Sequence, residues 1–343
     1  MNKYIVASTV RSAGKTSVIV GLAKALPGDE AYVKPLGDRL VYRKKRLWDY
    51  DTALIAGIFG LRSKPEDITI GFEHAKLRYM YDQAKTREKV LEIVDEAGRG
   101  KTMMFIEAGC DFSYGASIHL DPISLARYVD GKLLLVVAGP EYEIIDQIIF
   151  MKRNIELSQV NFAGVIINKV LDVEDFQRSH LPELTAAGVK VLGVIPYQKE
   201  LTHLSVSLVV DRLFAKVLTG EVGLNKEVEN IFLGAMSVNS VIQSPLWQKE
   251  NKLIITSGDR SDMIIAALES DTSCIVLTNN ILPPSNVISM AAHANIPLLL
   301  VPWDTFSTVK QFDAIEPLLT KEDTAKIKII ADMVRQNLDV SGL

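Results

Sequence analysis

The sequence predicts an α/β protein: a parallel sheet with helices on both faces, followed by a smaller α/β domain. Three observations predict it. Short runs rich in Val, Ile and Leu alternate with longer stretches of helical period. These runs are apolar nearly throughout and not only at every second position, so both faces of their sheet must be covered, as in parallel sheets. The chain has 343 residues, 48% apolar and 23% charged, enough to bury the cores of two or three domains.

Strands are expected at Tyr4–Ser8, Ala31–Lys34, Thr102–Glu107, Lys132–Val137, Phe162–Ile167 and Val191–Ile195. Amphipathic helices are expected between them, at Thr86–Ala97, Glu143–Asn154 and Asp175–Ala187. Asp211–Thr219 reads as the last helix of a first domain, residues 1–219, and Gly220–Gly223 as a linker. A second domain, residues 224–343, is expected to run helix Glu227–Met236, strand Lys252–Thr256, helix Arg260–Glu269 and strand Cys274–Thr278. Helix Asn286–Ala294, strand Pro297–Val301 and helices Thr305–Ala314 and Thr320–Leu338 complete it.

Charge and cysteine usage exclude several classes. Lys and Arg number 38 against 42 Asp and Glu, a net charge of −4, which gives no pull toward nucleic acid or anionic membrane. Cys110 and Cys274 fall in different predicted domains, so neither a disulfide nor a cysteine-based zinc site is expected. No run of about 18 apolar residues is present, and the N-terminal stretch meets Arg11 and Lys15 without a cleavage-type signal. A cytoplasmic location is expected.

The chemistry concentrates in the first domain. Thr9-Val10-Arg11-Ser12-Ala13-Gly14-Lys15-Thr16 lies between the first strand and a helix starting near Ser17. This is the P-loop pattern G-x-x-x-x-G-K-[ST] with Thr9 in place of the first glycine. Backbone N–H groups of Thr9, Ser12, Ala13, Gly14 and Ser17 and the helix N-terminus suit phosphate oxygens. Lys15, expected to face solvent, bridges the β- and γ-phosphates, and Thr16 offers its hydroxyl to Mg²⁺. The expected ligands are therefore ATP or ADP with Mg²⁺.

Glu107 ends the apolar run Met103–Ile106 and offers Mg²⁺ a hard oxygen, directly or through water. The alternative is a helix-capping or solvated acid. Asp111 is a further candidate, and Asp49 or Asp51 could reach the same metal. Lys34, before Pro35, ends a strand on the edge where open parallel sheets take ligands. It would meet an anionic substrate or the γ-phosphate, or else is a plain solvated lysine. The basic run Arg43-Lys44-Lys45-Arg46 reads as a solvated face. Asn168, before Lys169, has the donor and acceptor to read an adenine edge, or lies in a strand-end turn. Pro196 would shape the loop beside that base. In Gly258-Asp259-Arg260-Ser261-Asp262 either helix capping or a ligand or subunit contact is open. The five histidines lack metal-ligand spacing.

Taken in order, Thr9 to Thr16, Lys34-Pro35, Ile106-Glu107-Ala108-Gly109, Asn168-Lys169 and Leu192-Gly193-Val194-Ile195-Pro196 resemble the dethiobiotin synthetase-like branch of P-loop proteins. That resemblance implies Mg²⁺ held by Thr16, Asp51 and Glu107. Glu107-Ala108-Gly109-Cys110-Asp111, Gly115-Ala116-Ser117-Ile118 and Leu120-Asp121-Pro122 look closer to the N-terminal region of long bacterial phosphotransacetylases, where such a domain precedes a DRTGG domain. Gly234–Val238, the Gly258–Asp262 turn and Asp304-Thr305-Phe306 resemble that DRTGG domain, with Asn279-Asn280 where paired glycines are usual. The chain ends where the acetyl-transferring domain would begin, so that activity is not expected from it. The resemblance implies a nucleotide-sensing regulatory or scaffold protein, homodimeric through its second domain. The alternative is an ATP-dependent enzyme activating or carboxylating a small acid or amine, with Lys15 and Lys34 catalytic and a small anionic metabolite as partner.

Overall fold

A computed structural model describes residues 1–43, 46–155, 157–315 and 317–343. Lys44 and Lys45 of the basic run lie outside them, while the exposed Arg46 pairs with Glu66 at 2.8 Å. The chain forms two compact units, Met1–Gln198 with Leu319–Leu343, and Lys199–Leu318.

In the first unit the strands are β1 (Asn2–Ser8), β2 (Glu30–Val33), β3 (Leu40–Arg43), β4 (Arg46–Asp49), β5 (Met103–Glu107), β6 (Lys132–Val137), β7 (Asn161–Val170) and β8 (Val191–Pro196). Six of them form one sheet in the order β2-β5-β1-β6-β7-β8, and every pairing is parallel. All five residues of β5 and five of six in β6 are buried. Because successive side chains point to opposite faces, both faces are covered. β3 and β4 form a separate antiparallel hairpin.

The helices Lys15–Ala25, Gln83–Ala97 and Glu141–Asn154 form, each starting two or three residues before its expected position. Asp175–Ala187, expected as one helix, is two: Val173–Ser179 and Leu181–Ala186. Pro182 explains the break, because proline has no N–H to continue the ladder but fits a first turn.

The second unit holds β9 (Leu204–Ser205), β10 (Lys216–Thr219), β11 (Glu227–Val228), β12 (Asn230–Leu233), β13 (Lys252–Ser257), β14 (Thr272–Thr278) and β15 (Leu298–Leu300). Its main sheet runs β10-β15-β14-β13-β12, parallel except for β10. Two elements differ from expectation. Asp211–Thr219 divides into the end of helix Val206–Arg212 and edge strand β10. Glu227–Met236 is β11 and β12, not a helix. Only Val228 and Phe232 are buried in those two strands; β11 pairs antiparallel with β9 and β12 parallel with β13, a tertiary effect that outweighs local propensity.

The unit boundary also differs. Helix Thr324–Asn337, expected in the second domain, packs on helix Lys15–Ala25 of the first unit. A Cβ at Gly21 would collide with the Val334 side chain, and Arg335 donates to the Lys24 carbonyl at 2.6 Å. Gly193 in β8 is covered in the same way by Asn337 and Leu338, and Asp339 N–H donates to the Leu192 carbonyl at 2.8 Å. Two glycines thus expose bare backbone on which the C-terminal segment lies. Gly21→Ala is therefore expected to destabilise the protein by about 1–3 kcal/mol through overpacking, although alanine is the better helix former. Val334→Ala in the same chain should recover most of that loss, read from denaturant midpoints in a double-mutant cycle. Additive losses would contradict the contact.

Candidate functional site

The chain leaves β1 toward β2 on one side and leaves the adjacent β5 toward β6 on the other, so a crevice opens beyond the carboxyl ends of these strands. The loop after β1 occupies it. Ser12 and Gly14 have left-handed backbones, with φ of 58° and 96°. Interleaved with ordinary residues, such positions turn successive N–H groups into one concavity that suits an anion. Helix Lys15–Ala25 begins there, with Ser17 in its first turn and Val18 N–H closing on the Gly14 carbonyl at 2.9 Å. Thr9, in the first-glycine position, donates its hydroxyl to the Gln147 side-chain oxygen on helix Glu141–Asn154.

Lys15 does not face solvent as expected. It is buried, and its Nζ donates to Ser8 Oγ at 2.9 Å and reaches the Cys110 carbonyl at 3.5 Å. Burial lowers its pKa, against the pull of Glu107 and Asp38. Thr16 Oγ1 donates to Glu107 Oε1 at 3.0 Å, and Tyr32 OH donates to Oε2 at 2.8 Å. Glu107 is 2% exposed. Burial first, and the Asp51 charge second, push its pKa up to about 7. A buried carboxylate beside a threonine hydroxyl is a donor set that a hard divalent cation would satisfy, so Thr16 and Glu107 fit Mg²⁺.

Lys34 is placed differently from a lysine open to an anionic substrate. It is 1% exposed, with Nζ 2.5 Å from Asp38, 3.2 Å from Asp49 and 2.6 Å from Asp51. Burial works against its charge, but Asp51, Glu107, Asp49 and Asp38 outweigh this and hold its pKa well above the usual lysine value. Asp51 also accepts from Arg39 at 3.2 Å. Oxygens of the three aspartates lie within 4.8 Å of one another. The Lys34 ammonium stands among them, and the Asp51 charge also acts on Glu107. Asp111 is engaged as well, accepting from Ser113 N–H at 2.8 Å and Tyr114 N–H at 3.0 Å.

Asn168 ends the apolar part of β7, and its amide nitrogen is turned toward the loop. Nδ2 donates to the Ala13 carbonyl at 2.8 Å, and a Cβ on Gly14 would collide with it. Pro196 closes β8 opposite Val170. Sequence reasoning missed Ser8, Asp38 and Tyr32. Tyr32 was findable, because it stands two residues before Lys34 and a strand places such residues on one face.

In the second unit the carboxyl edge gathers the remaining motif residues. Asn279 and Asn280 adopt φ of 59° and 54°, the left-handed region that asparagine tolerates, and so supply the turn that paired glycines would. Arg260 pairs with Asp262 at 3.2 Å and donates to the Met236 carbonyl at 3.0 Å. It joins the end of β12 to helix Ser261–Leu268, and no aspartate side chain caps that helix. Asp304 caps helix Thr305–Asp313. Cys110 and Cys274 are free thiols. Among the described residues no helix is long and apolar enough to cross a membrane.

A family profile described as an AAA domain matches residues 2–205, and one described as a DRTGG domain matches residues 208–315. The chain is similar to the phosphate acetyltransferase of Pseudomonas putida, at 26% identity over all of this chain and 51% of that protein. It therefore spans about half the length of the phosphate acetyltransferases it matches across its full extent. It is also similar to the ATP-dependent dethiobiotin synthetase BioD of Bacillus subtilis, at 26% identity over 65% of this chain and all of that protein. Among solved structures it is similar to the CBS and DRTGG domains of the regulatory region of Clostridium perfringens pyrophosphatase complexed with diadenosine tetraphosphate. That likeness has a TM-score of 0.27 and 13% identity over 49% of this chain and 85% of that one. Its first unit being a P-loop parallel sheet and its second a smaller sheet at the DRTGG match, the chain belongs to the AAA-domain family, with a DRTGG domain following.

Proposed function

We propose that this protein binds a nucleoside triphosphate with Mg²⁺, ATP by its likeness to the ATP-dependent relative, and acts as a nucleotide-sensing regulatory or scaffold protein. The observation that carries the reading is the hydrogen bond of Thr16 to Glu107 at the mouth of an anion-binding loop. Thr16 and Glu107 would hold Mg²⁺, whose positive charge would offset that of the phosphates. Lys15 would leave Ser8 for the β- and γ-phosphates. The helix N-terminus and the loop N–H groups would hold the remaining oxygens.

Regulation is favoured over small-molecule ligation by the state of Lys34. Phosphoryl transfer to a small acid needs a cation to place that acid against the γ-phosphate. Lys34 is instead neutralised by three aspartates. The second unit would carry self-association into a homodimer. Its edge strand β12 leaves the apolar Ile231 and Leu233 50% and 43% exposed, a surface that a second copy would cover.

Two measurements test this. Calorimetry should show MgATP binding that falls about 100-fold in Lys15→Met, the loss expected when a charged donor to phosphate is removed. The intact protein should form no ADP faster when small carboxylates or amines are added. Unchanged affinity in Lys15→Met would contradict the phosphate site, and substrate-stimulated ADP formation would replace the regulatory reading with the enzymatic one.

The raised pKa of Glu107 sets a pH dependence. Below about 7 the carboxyl holds a proton that Mg²⁺ must displace. Mg²⁺-dependent affinity should therefore fall up to about tenfold per pH unit below 7 and level off above it. Glu107→Gln should lower Mg²⁺-dependent binding more than metal-free binding and flatten that profile. An equal loss with and without metal, or an unaltered slope, would remove Glu107 from the metal site.

A further inference from the structure

Asn168 and Lys169 are consecutive residues at the end of β7, and their side chains reach consecutive carbonyls of the same loop. Asn168 Nδ2 donates to the Ala13 carbonyl and Lys169 Nζ to the Ser12 carbonyl, both at 2.8 Å. In a regular strand neighbouring side chains point to opposite faces and could not converge. Here Lys169 has a left-handed backbone, φ 63°, and the β7–β8 register shifts between Ile167 and Val170. A residue that is not glycine holds this conformation only where its surroundings require it.

The consequence lies in the orientation of the loop's peptide groups. An anion-binding loop works when its N–H groups point inward, which requires the carbonyls to point outward. Left alone, those carbonyls would face the anion as readily as solvent. Two donors placed behind the loop fix two successive peptide planes with their carbonyls turned toward β7. Gly14 completes the arrangement, since a Cβ there would collide with the Asn168 amide. Asn168 is buried while Lys169 is exposed, so the inner and outer sides of the loop are both held.

We propose that Asn168 and Lys169 are positioning residues that clamp the Ser12 and Ala13 carbonyls outward and so pre-form the phosphate site, in place of the base-reading role expected of Asn168. The inference rests on the reading of the loop as a phosphate site. A clamp acts on phosphate whatever base is attached, whereas a base reader acts on the base alone.

Calorimetry in Mg²⁺ with three probes, ATP, GTP and inorganic tripolyphosphate, separates the two. Asn168→Ala and Lys169→Met are each expected to weaken all three probes by the same factor, about tenfold for one lost hydrogen bond. The ATP:GTP ratio should stay constant, and Lys169→Arg, which keeps a charged donor, should restore binding. A loss confined to one nucleotide, with tripolyphosphate binding intact, would return Asn168 to the base and overturn the clamp. So would unchanged affinity for all three probes in both variants. Should Asn168→Ala fail to fold, the exposed Lys169→Met carries the same test. A wild-type chain that binds none of the probes would remove the phosphate-site reading itself, and the clamp with it.

Discussion

Charge buried at one end of the parallel sheet is the constraint on which the rest of the site depends. Asp49, Asp51 and Glu107 are withdrawn from water together with Lys15 and Lys34. Isolated ions cannot remain so, because their desolvation cost exceeds what packing returns unless each is paired. The structure meets this unequally. Lys34 is paired three times over, whereas Glu107 accepts from two hydroxyls and its pKa is pushed up to about 7. The under-compensated carboxylate is the one beside the P-loop threonine, where a divalent cation would complete it.

That asymmetry separates two parts of the crevice with different chemistry. In the part at Lys15, Thr16 and Glu107 the ammonium and the carboxylate are each held by hydroxyl groups. The part at Lys34 is closed on itself, since Asp38, Asp49 and Asp51 surround the ammonium and Arg39 supports Asp51. A substrate anion would have to displace a carboxylate from Lys34 before gaining anything from it. Position in the sequence suggested Asp51 as a metal ligand and Lys34 as a substrate contact. The hairpin β3–β4 and the turn at Asp38 bring two further acids to them, which no single motif announces.

The sheet was legible because its strands are apolar on both faces, a pattern that local sequence carries in full. The P-loop was legible because Gly14-Lys15-Thr16 follows a strand and opens a helix. What was not legible depends on contacts distant in sequence. β12 looked helical until β13 was there to pair with it. The helix Thr324–Asn337 seemed to belong with its sequence neighbours, yet Gly21 and Gly193 expose the backbone that it covers. The second unit is therefore an insertion within the first, and a cut near residue 219 would strip a helix from the P-loop unit. Asn168 was singled out by its place at a strand end, but its direction depends on the left-handed Lys169 beside it, which residue types do not reveal.

A crystal structure of this chain grown with a non-hydrolysable ATP analogue and Mg²⁺ tests the central claim most directly. The account predicts the triphosphate inside the loop, with Lys15 Nζ moved from Ser8 Oγ onto the phosphates. Mg²⁺ would sit between Thr16 Oγ1 and Glu107, with the Lys34 cage unchanged. Lys15 still on Ser8 with the loop empty at saturating analogue, or Mg²⁺ seated in the aspartate cage in place of Lys34, would contradict it.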